Sequence, residues 1–171
     1  MRDFFSSRNA PWIWLALRLY VGYEFVTAGW EKITGPNPFD ATGFLNNAIK
    51  MSTGAHPAVQ PWFASFVRSF ALPNVGLFNF LVKYGEVLVG LALILGFATI
   101  FAAAMAMLMN FSFMFAGSTS TNPQLVLLAG TIIFAGGAYA GHLGVDYFFR
   151  PLYRNFMDTR FSQKKLGHTT L

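Results

Sequence analysis

Cysteine is absent from this chain, which excludes disulfides, iron–sulfur clusters, thiolate-bound metals and dithiol redox chemistry within the polypeptide. Any electron chemistry has to be borrowed from an exchangeable group. Histidine is scarce as well: His56, His142 and His168 stand far apart, so no pair is placed to hold a haem from both sides, and a lone histidine makes a poor metal site. His142 can carry a proton near neutral pH, although a structural hydrogen bond is its plainer role. Met105, Met107, Met109 and Met114 fall at mixed helical angles, which suits packing or lipid contact better than soft-metal binding. No metal, haem or iron–sulfur cluster is therefore expected.

Charge is the third shortage. Charged residues make up 11% of the 171 positions against 54% hydrophobic ones, with a mean hydropathy of +0.46, a balance that a soluble domain of this size would struggle to keep in solution. The apolar stretches have the length of membrane helices, about 20 residues, and lack the period-two alternation of barrel strands. The expected fold is an all-α integral membrane four-helix bundle. Its spans fall at about 11–33, 77–96, 98–116 and 125–147, with an amphipathic helical outer loop, 34–76, between the first two. That loop opens on the turn-rich GPNP and holds two amphipathic pieces, 39–51 and 61–72. In the second piece Trp62, Phe63, Phe66 and Phe70 recur near helical spacing, as in a helix lying in the membrane interface and capping one end of the bundle. The Leu95-Gly96-Phe97 turn makes the second and third spans a tight hairpin, and the polar GSTSTNPQ joins the third to the fourth.

The net charge of +5 does not point to nucleic acid, because the basic residues crowd the two ends. Arg2, Arg8, Arg150, Arg154, Arg160, Lys164 and Lys165 stand there against Asp3 and Asp158, whereas the long loop has Lys50 and Arg68 against Asp40. Positive residues belong inside, so both termini are expected in the cytoplasm of a cell whose plasma membrane the chain crosses several times. The transmembrane domain covers 1–155, and 156–171 forms a short basic tail. The charge-studded first helix does not read as a removed signal peptide.

Charges within spans are expensive and turn toward a bundle interior or polar cavity. The first span has two polar faces at 100° per residue: Tyr20, Glu24, Thr27 and Glu31 lie within a sector of roughly 60°, and Arg18, Gly22, Phe25, Gly29 and Lys32 group on the opposite side. On the second span Asn79, Lys83, Glu86 and Gly90 form one stripe, with Lys83 and Glu86 spaced to pair along their own helix. Glu24 and Glu86 lie about 13 Å from the outer ends of their spans, Lys83 and Asn110 about 9 Å. An outer cluster of Glu24, Glu31, Lys83, Glu86 and Asn110 follows. An inner cluster brings Arg18 within reach of Asp146, beside Thr131, Tyr139, His142 and Arg150. The bland alternative is that such groups only set helix register. It applies most to Arg18, Asp146, Arg150, Glu31 and Lys32, which lie near a boundary and can snorkel to water. Glu24, Lys83 and Glu86 lie deeper and are the candidates for chemistry.

Three stretches, RLYVGYEFVTAGWEKITG, GEVLVGLALILGFAT and GGAYAGHLGVDYFFRP, together resemble the DoxX family of small four-helix prokaryotic membrane proteins, which includes the DoxD-type subunit of thiosulfate:quinone oxidoreductase. The resemblance covers most of residues 11 to 152. Arg18, Gly22, Gly29 and Lys32 match the first-helix pattern, Glu86, Gly90 and Gly96 the second, and Asp146 the closing motif, where His142 and Gly144 depart from the usual residues. The resemblance implies membrane redox metabolism, with quinone or sulfur chemistry in some members.

Three functions follow as expectations. The first is a quinone-linked oxidoreductase, or its small membrane subunit, with no redox centre of its own. There Glu24 or Glu86 exchanges protons and Lys83 or Arg18 stabilises developing negative charge, while Arg18, Tyr20, Glu31, Tyr84, Asn110, His142 and Asp146 are candidates to hold an exchangeable quinone. The second is a non-catalytic anchor or assembly partner of another protein, and the third a small transporter. The expected partners are the lipid bilayer and a second membrane or surface redox subunit; a homo-oligomer is open.

Overall fold

The computed structural model describes residues 10–149, and all regular structure among them is helical. Helix α1, Ala10–Thr34, runs 25 residues, about 37 Å. Its one proline, Pro11, sits in the first turn, where a missing N–H costs nothing. The helix ends as the chain reaches GPNP. The outer connection holds α2, Thr42–Lys50, and α3, an α turn Pro61–Phe66 that widens into a π-helix, Val67–Ala71. These are the two amphipathic pieces expected of the loop. Helix α4 is Val75–Leu95 and α5 is Thr99–Phe115. Between them Gly96 takes the left-handed φ of 66°, and the Phe97 amide returns to the Ala92 carbonyl at 2.9 Å, closing α4 as glycine-terminated helices commonly close.

The fourth span departs from the expected 125–147. Helix α6 begins at Asn122, turns into a π-helix at Ile132–Gly136 and stops at Gly137, whose φ is 45°. A side chain at Gly136 would lie 3.2 Å from the Trp14 ring, so α1 holds the chain at the break. The residues beyond bond to the α4–α5 turn, Val145 N–H to Leu95 O at 3.0 Å and Asp146 N–H to Gly96 O at 2.8 Å. Two adjacent glycines, Gly136 packed against Trp14 and Gly137 at a positive φ, end the helix that apolarity alone would continue. Among the described residues α4 is the one helix long and apolar enough to cross a membrane on those criteria; α5 and α6 are shorter apolar helices. Residues 1–9 and 150–171, which include the basic ends, Arg150 and the tail, lie outside the described residues.

Helix α1 packs most closely on α4. A Cβ on Gly90 would stand 2.7 Å from the Gly22 carbonyl, and one on Gly29 would stand 2.9 Å from Glu86 Cβ, so the two backbones meet where both helices lack side chains. The bundle core gathers Val21, Phe25, Leu93, Ala103, Ala106 and Ile132. A second apolar cluster, with Leu45, Val59, Phe63, Val67 and Ala116, seats α2 and α3 over one end of the bundle. Asn79 ties this cap to α4: its Oδ1 accepts from the Ala41 amide at 2.8 Å, and its Nδ2 donates to Asp40 at 3.3 Å.

Candidate functional site

Beneath the cap lies a cavity of about 850 Å³ bounded by α1, α4, α5, the start of α6 and the underside of α2 and α3. Its walls are mostly apolar, and its polar side chains include Glu24 and Lys32 from α1, Glu86 from α4 and Asn110 from α5. Glu24, Ala28 and Lys32 line it at successive helical turns. Lys32 Nζ donates to Glu86 Oε2 at 2.7 Å and to the Ala28 carbonyl at 3.2 Å, and stands 5.7 Å from the centre of the Phe39 ring. The Glu86 side chain is 4% exposed and that of Lys32 25% exposed, so the ammonium keeps one side toward the cavity while the carboxylate is enclosed. Asn110 is fully buried, with its amide donating to Ala106 O at 2.8 Å.

The expected pair of Lys83 with Glu86 is therefore replaced. Lys83 stands 5.5 Å from the Tyr84 ring centre, and the cation on Glu86 comes from the neighbouring helix. The cause is Gly29: it brings α1 onto the backbone of α4 at Lys83 and Glu86, and Lys32 follows one turn later. Lys32 lies near the end of its helix, where snorkelling to water is the plainer expectation; the family pattern and its place on the Arg18, Gly22, Gly29 stripe are the signals for it. Of the outer cluster, the structure brings Glu24, Glu86 and Asn110 together at the cavity and leaves Glu31 exposed outside it. Tyr20 and Tyr84 are also exposed and line no part of it.

The inner group comes together as expected, with Arg18 close enough to Asp146 for their charges to interact, but the hydrogen bonds of the two side chains run elsewhere. Arg18, completely buried, donates from Nη1 to Ala140 O and from Nη2 to Leu143 O, both at 2.7 Å. These carbonyls belong to the segment beyond the α6 break, so the guanidinium serves backbone groups that the lost helix leaves open. Asp146 instead accepts from the Ala98 and Thr99 amides at 2.7 and 2.8 Å, capping α5. The GHLGVD stretch is the means to this. A side chain at Gly141 would strike the Asp146 carboxylate, and one at Gly144 would stand 2.7 Å from Gly96 Cα. His142 lies between the rings of Tyr139 and Tyr147, at 6.4 and 5.2 Å. Arg18, His142 and Asp146 line no part of the cavity.

Asp40, at the edge of the cap, accepts from the Thr42 hydroxyl at 2.7 Å and amide at 3.0 Å. The Thr42 side chain first, then its amide and Asn79, hold the Asp40 carboxyl below the usual carboxylate range. Among the described residues no three His, Asp or Glu side chains gather as a metal-binding group.

The fold defines the class of protein: all-helical in its described residues, with many exposed apolar side chains and a mostly apolar cavity beneath a helical cap that holds a few polar groups. The chain belongs to the DoxX family, a membrane family, whose profile matches residues 13–119. The match runs from α1 to the loop after α5, so the GHLGVD stretch lies beyond it. No curated protein and no solved structure matches the chain.

Proposed function

We propose that the chain is a multi-pass subunit of a quinone-linked membrane oxidoreductase, or that enzyme itself, and that the cavity beneath the cap receives the quinone head group. One observation carries this reading: an ion pair between the partly exposed Lys32 and the buried Glu86 borders a largely apolar space of about 850 Å³ together with Glu24 and Asn110. Such a space takes a flat, mostly apolar ring, and a few convergent polar groups orient it. A bound quinone supplies two-electron, two-proton redox capacity that the cysteine-free chain lacks. Lys32, with donor capacity toward the cavity, is the group to hold a carbonyl oxygen and favour negative charge on it. Glu86 and Glu24 are the carboxyl groups placed to take up or release protons. Asn110 adds a polar wall. Electrons come from a donor substrate or a partner subunit.

In this reading α1, α4, α5 and the α6 region cross the plasma membrane with both termini in the cytoplasm and the cap outside. The broken fourth segment is compatible with that placement, because non-helical backbone is tolerated at membrane depth where protein groups satisfy it, as Arg18 does for Ala140 and Leu143. The test is quinone binding by the full chain in nanodiscs, followed by organic extraction and redox-difference spectra. Glu86→Gln should lower quinone binding or turnover at least tenfold while the helical signal is kept. Unchanged binding and turnover in a folded E86Q protein would remove the assignment.

A further inference from the structure

On the α4 and α5 side, several residues that line the cavity are also exposed. Its lining includes Leu88 of α4 and Phe101 and Leu108 of α5, which are 66%, 66% and 57% exposed, so the same side chains face both the interior and the outside of the bundle. Between the two helices at this point stands Gly85. A Cβ built there would meet only Met109, with Cε at 3.5 Å and Sδ at 3.8 Å, ordinary contact distances. The threshold is thus a position without a side chain facing a flexible thioether, and methionine repacks readily around changing shapes. Gly85 directly precedes Glu86, so the threshold is adjacent in sequence to the buried end of the ion pair. On the far side, Ser118, Ser120 and Thr121 give the cavity a polar rim. The space is therefore graded, with hydroxyls at one margin, the ion pair within and hydrocarbon at the gap between α4 and α5.

We infer that the ligand of this cavity is a membrane-dissolved amphiphile with a hydrocarbon tail, which passes sideways between α4 and α5 over Gly85 and Met109 and leaves its tail in the gap. The inference rests on the reading of the cavity as a head-group site and adds the route and the tail. In a bilayer the exposed Leu88, Phe101 and Leu108 face lipid, so a tail lying among them moves from one hydrocarbon environment to another without crossing water. The head group trades lipid for the ammonium of Lys32 and the carboxamide of Asn110. A ligand without a tail leaves the gap unused.

The test uses the full chain in nanodiscs and two probes: 2,3-dimethoxy-5-methylbenzoquinone bearing a decyl tail, and the same ring without a tail. In Gly85→Leu the added side chain fills the threshold; its Cβ meets only the flexible Met109 side chain at ordinary contact distance, and retained helical signal and thermal stability are checked first. This variant should raise the Kd of the tailed probe at least tenfold and that of the tailless ring less than threefold. Met109→Ala, which widens the gap, should not weaken the tailed probe. Equal losses for both probes in G85L, or no loss for either, overturn the lateral seat. If the wild-type protein binds neither ring, the quinone reading fails by itself, and the gap is then judged with a phospholipid carrying a diazirine in its acyl chain. Photolabelling at Leu88, Phe101, Met109 or Leu108 that G85L suppresses supports lateral access. Labelling that is absent there, or unchanged in G85L, overturns it.

Discussion

Lys32 stands one helical turn beyond Gly29, and that spacing decides which carboxylate it meets. Along α4 alone, Lys83 is the natural partner of Glu86; across the α1–α4 contact, Lys32 reaches it at 2.7 Å. Glu86 is buried while Lys32 is a quarter exposed, so truncating Lys32 leaves an enclosed carboxylate uncompensated, at a cost below the roughly 3–5 kcal/mol of a fully buried pair. Lys32→Met should therefore lower the thermal stability of the purified protein markedly, and adding Glu86→Gln should restore much of the loss. If the double variant is no more stable than K32M, the pair does not act as a unit. Lys83→Met, at a cation resting against an exposed tyrosine ring, should cost less than about 1 kcal/mol.

Asp40 carries the one pH-dependent expectation outside the spans. Its carboxyl is held below the ordinary range by the Thr42 hydroxyl, so the folded state favours the ionised form. The stabilising contribution is present above the unfolded aspartate pKa, about 3.9, and is lost as pH falls through the lower folded value. Asp40→Asn should flatten the acid limb of the stability curve. The effect is small for so exposed a group and is best followed as hydrogen exchange of the Ala41 and Thr42 amides.

At the scale of elements, the α1–α4 contact depends on glycines whose absent side chains are replaced by backbone. At Gly90 the nearest atoms to a new Cβ include the Gly22 carbonyl and the Val26 amide nitrogen, both at 2.7 Å, and backbone cannot swing away. Gly90→Leu should destabilise the bundle by about 1–3 kcal/mol or more, read as a loss of thermal stability in detergent. Gly76→Ala, with open space around its Cβ, is the control. The start of α5 is a second such point. Ala98 holds a left-handed φ of 46°, uncommon for a residue with a side chain, and its amide and that of Thr99 both donate to Asp146. Asp146→Ala removes this cap and should cost about 0.5–2 kcal/mol, with faster amide exchange confined to the first turn of α5.

The elements were legible in uneven degree. Helices α4 and α5 and the cap pieces fall within a few residues of their expected bounds, because apolar runs, the Gly96 turn and the spacing of Phe63, Phe66 and Phe70 are local signals. The fourth segment was not, since its apolar residues continue past Gly136 and Gly137 and nothing local says that Trp14 and Arg18 wait on the other side. The candidate site was half legible: matched depth brought Glu24, Glu86 and Asn110 into one group, but depth alone does not say which way a helix is turned. Tyr20 and Glu31 share a sector with Glu24, and only Glu24 reaches the cavity.

For the whole molecule, the proposed placement in the membrane can be tested with unusual directness, because the chain contains no cysteine and a single introduced thiol has no background. Ser120→Cys, in the outer turn, should react with a membrane-impermeant maleimide on intact cells. Ser162→Cys, in the basic tail, should react only after lysis. The reverse pattern would invert the bundle and put the cap in the cytoplasm. Reaction of both in intact cells would exclude an odd number of crossings for the segment between them and the proposed topology with it.

By itself the sequence determined that this chain is helical and apolar, that it supplies no redox centre from cysteine, and that its few charges recur at helical spacing on known faces. These follow from composition and from the fixed pitch of the helix, which any reader of the chain can apply. Tertiary structure alone decided that Lys32 and not Lys83 meets Glu86, that Arg18 donates to the carbonyls of a broken helix while Asp146 caps α5, and that Gly85 packs against Met109 beside the cavity. Each of these depends on how closely and at what rotation two helices meet, and that is settled where glycines let backbones touch, between residues far apart in the chain.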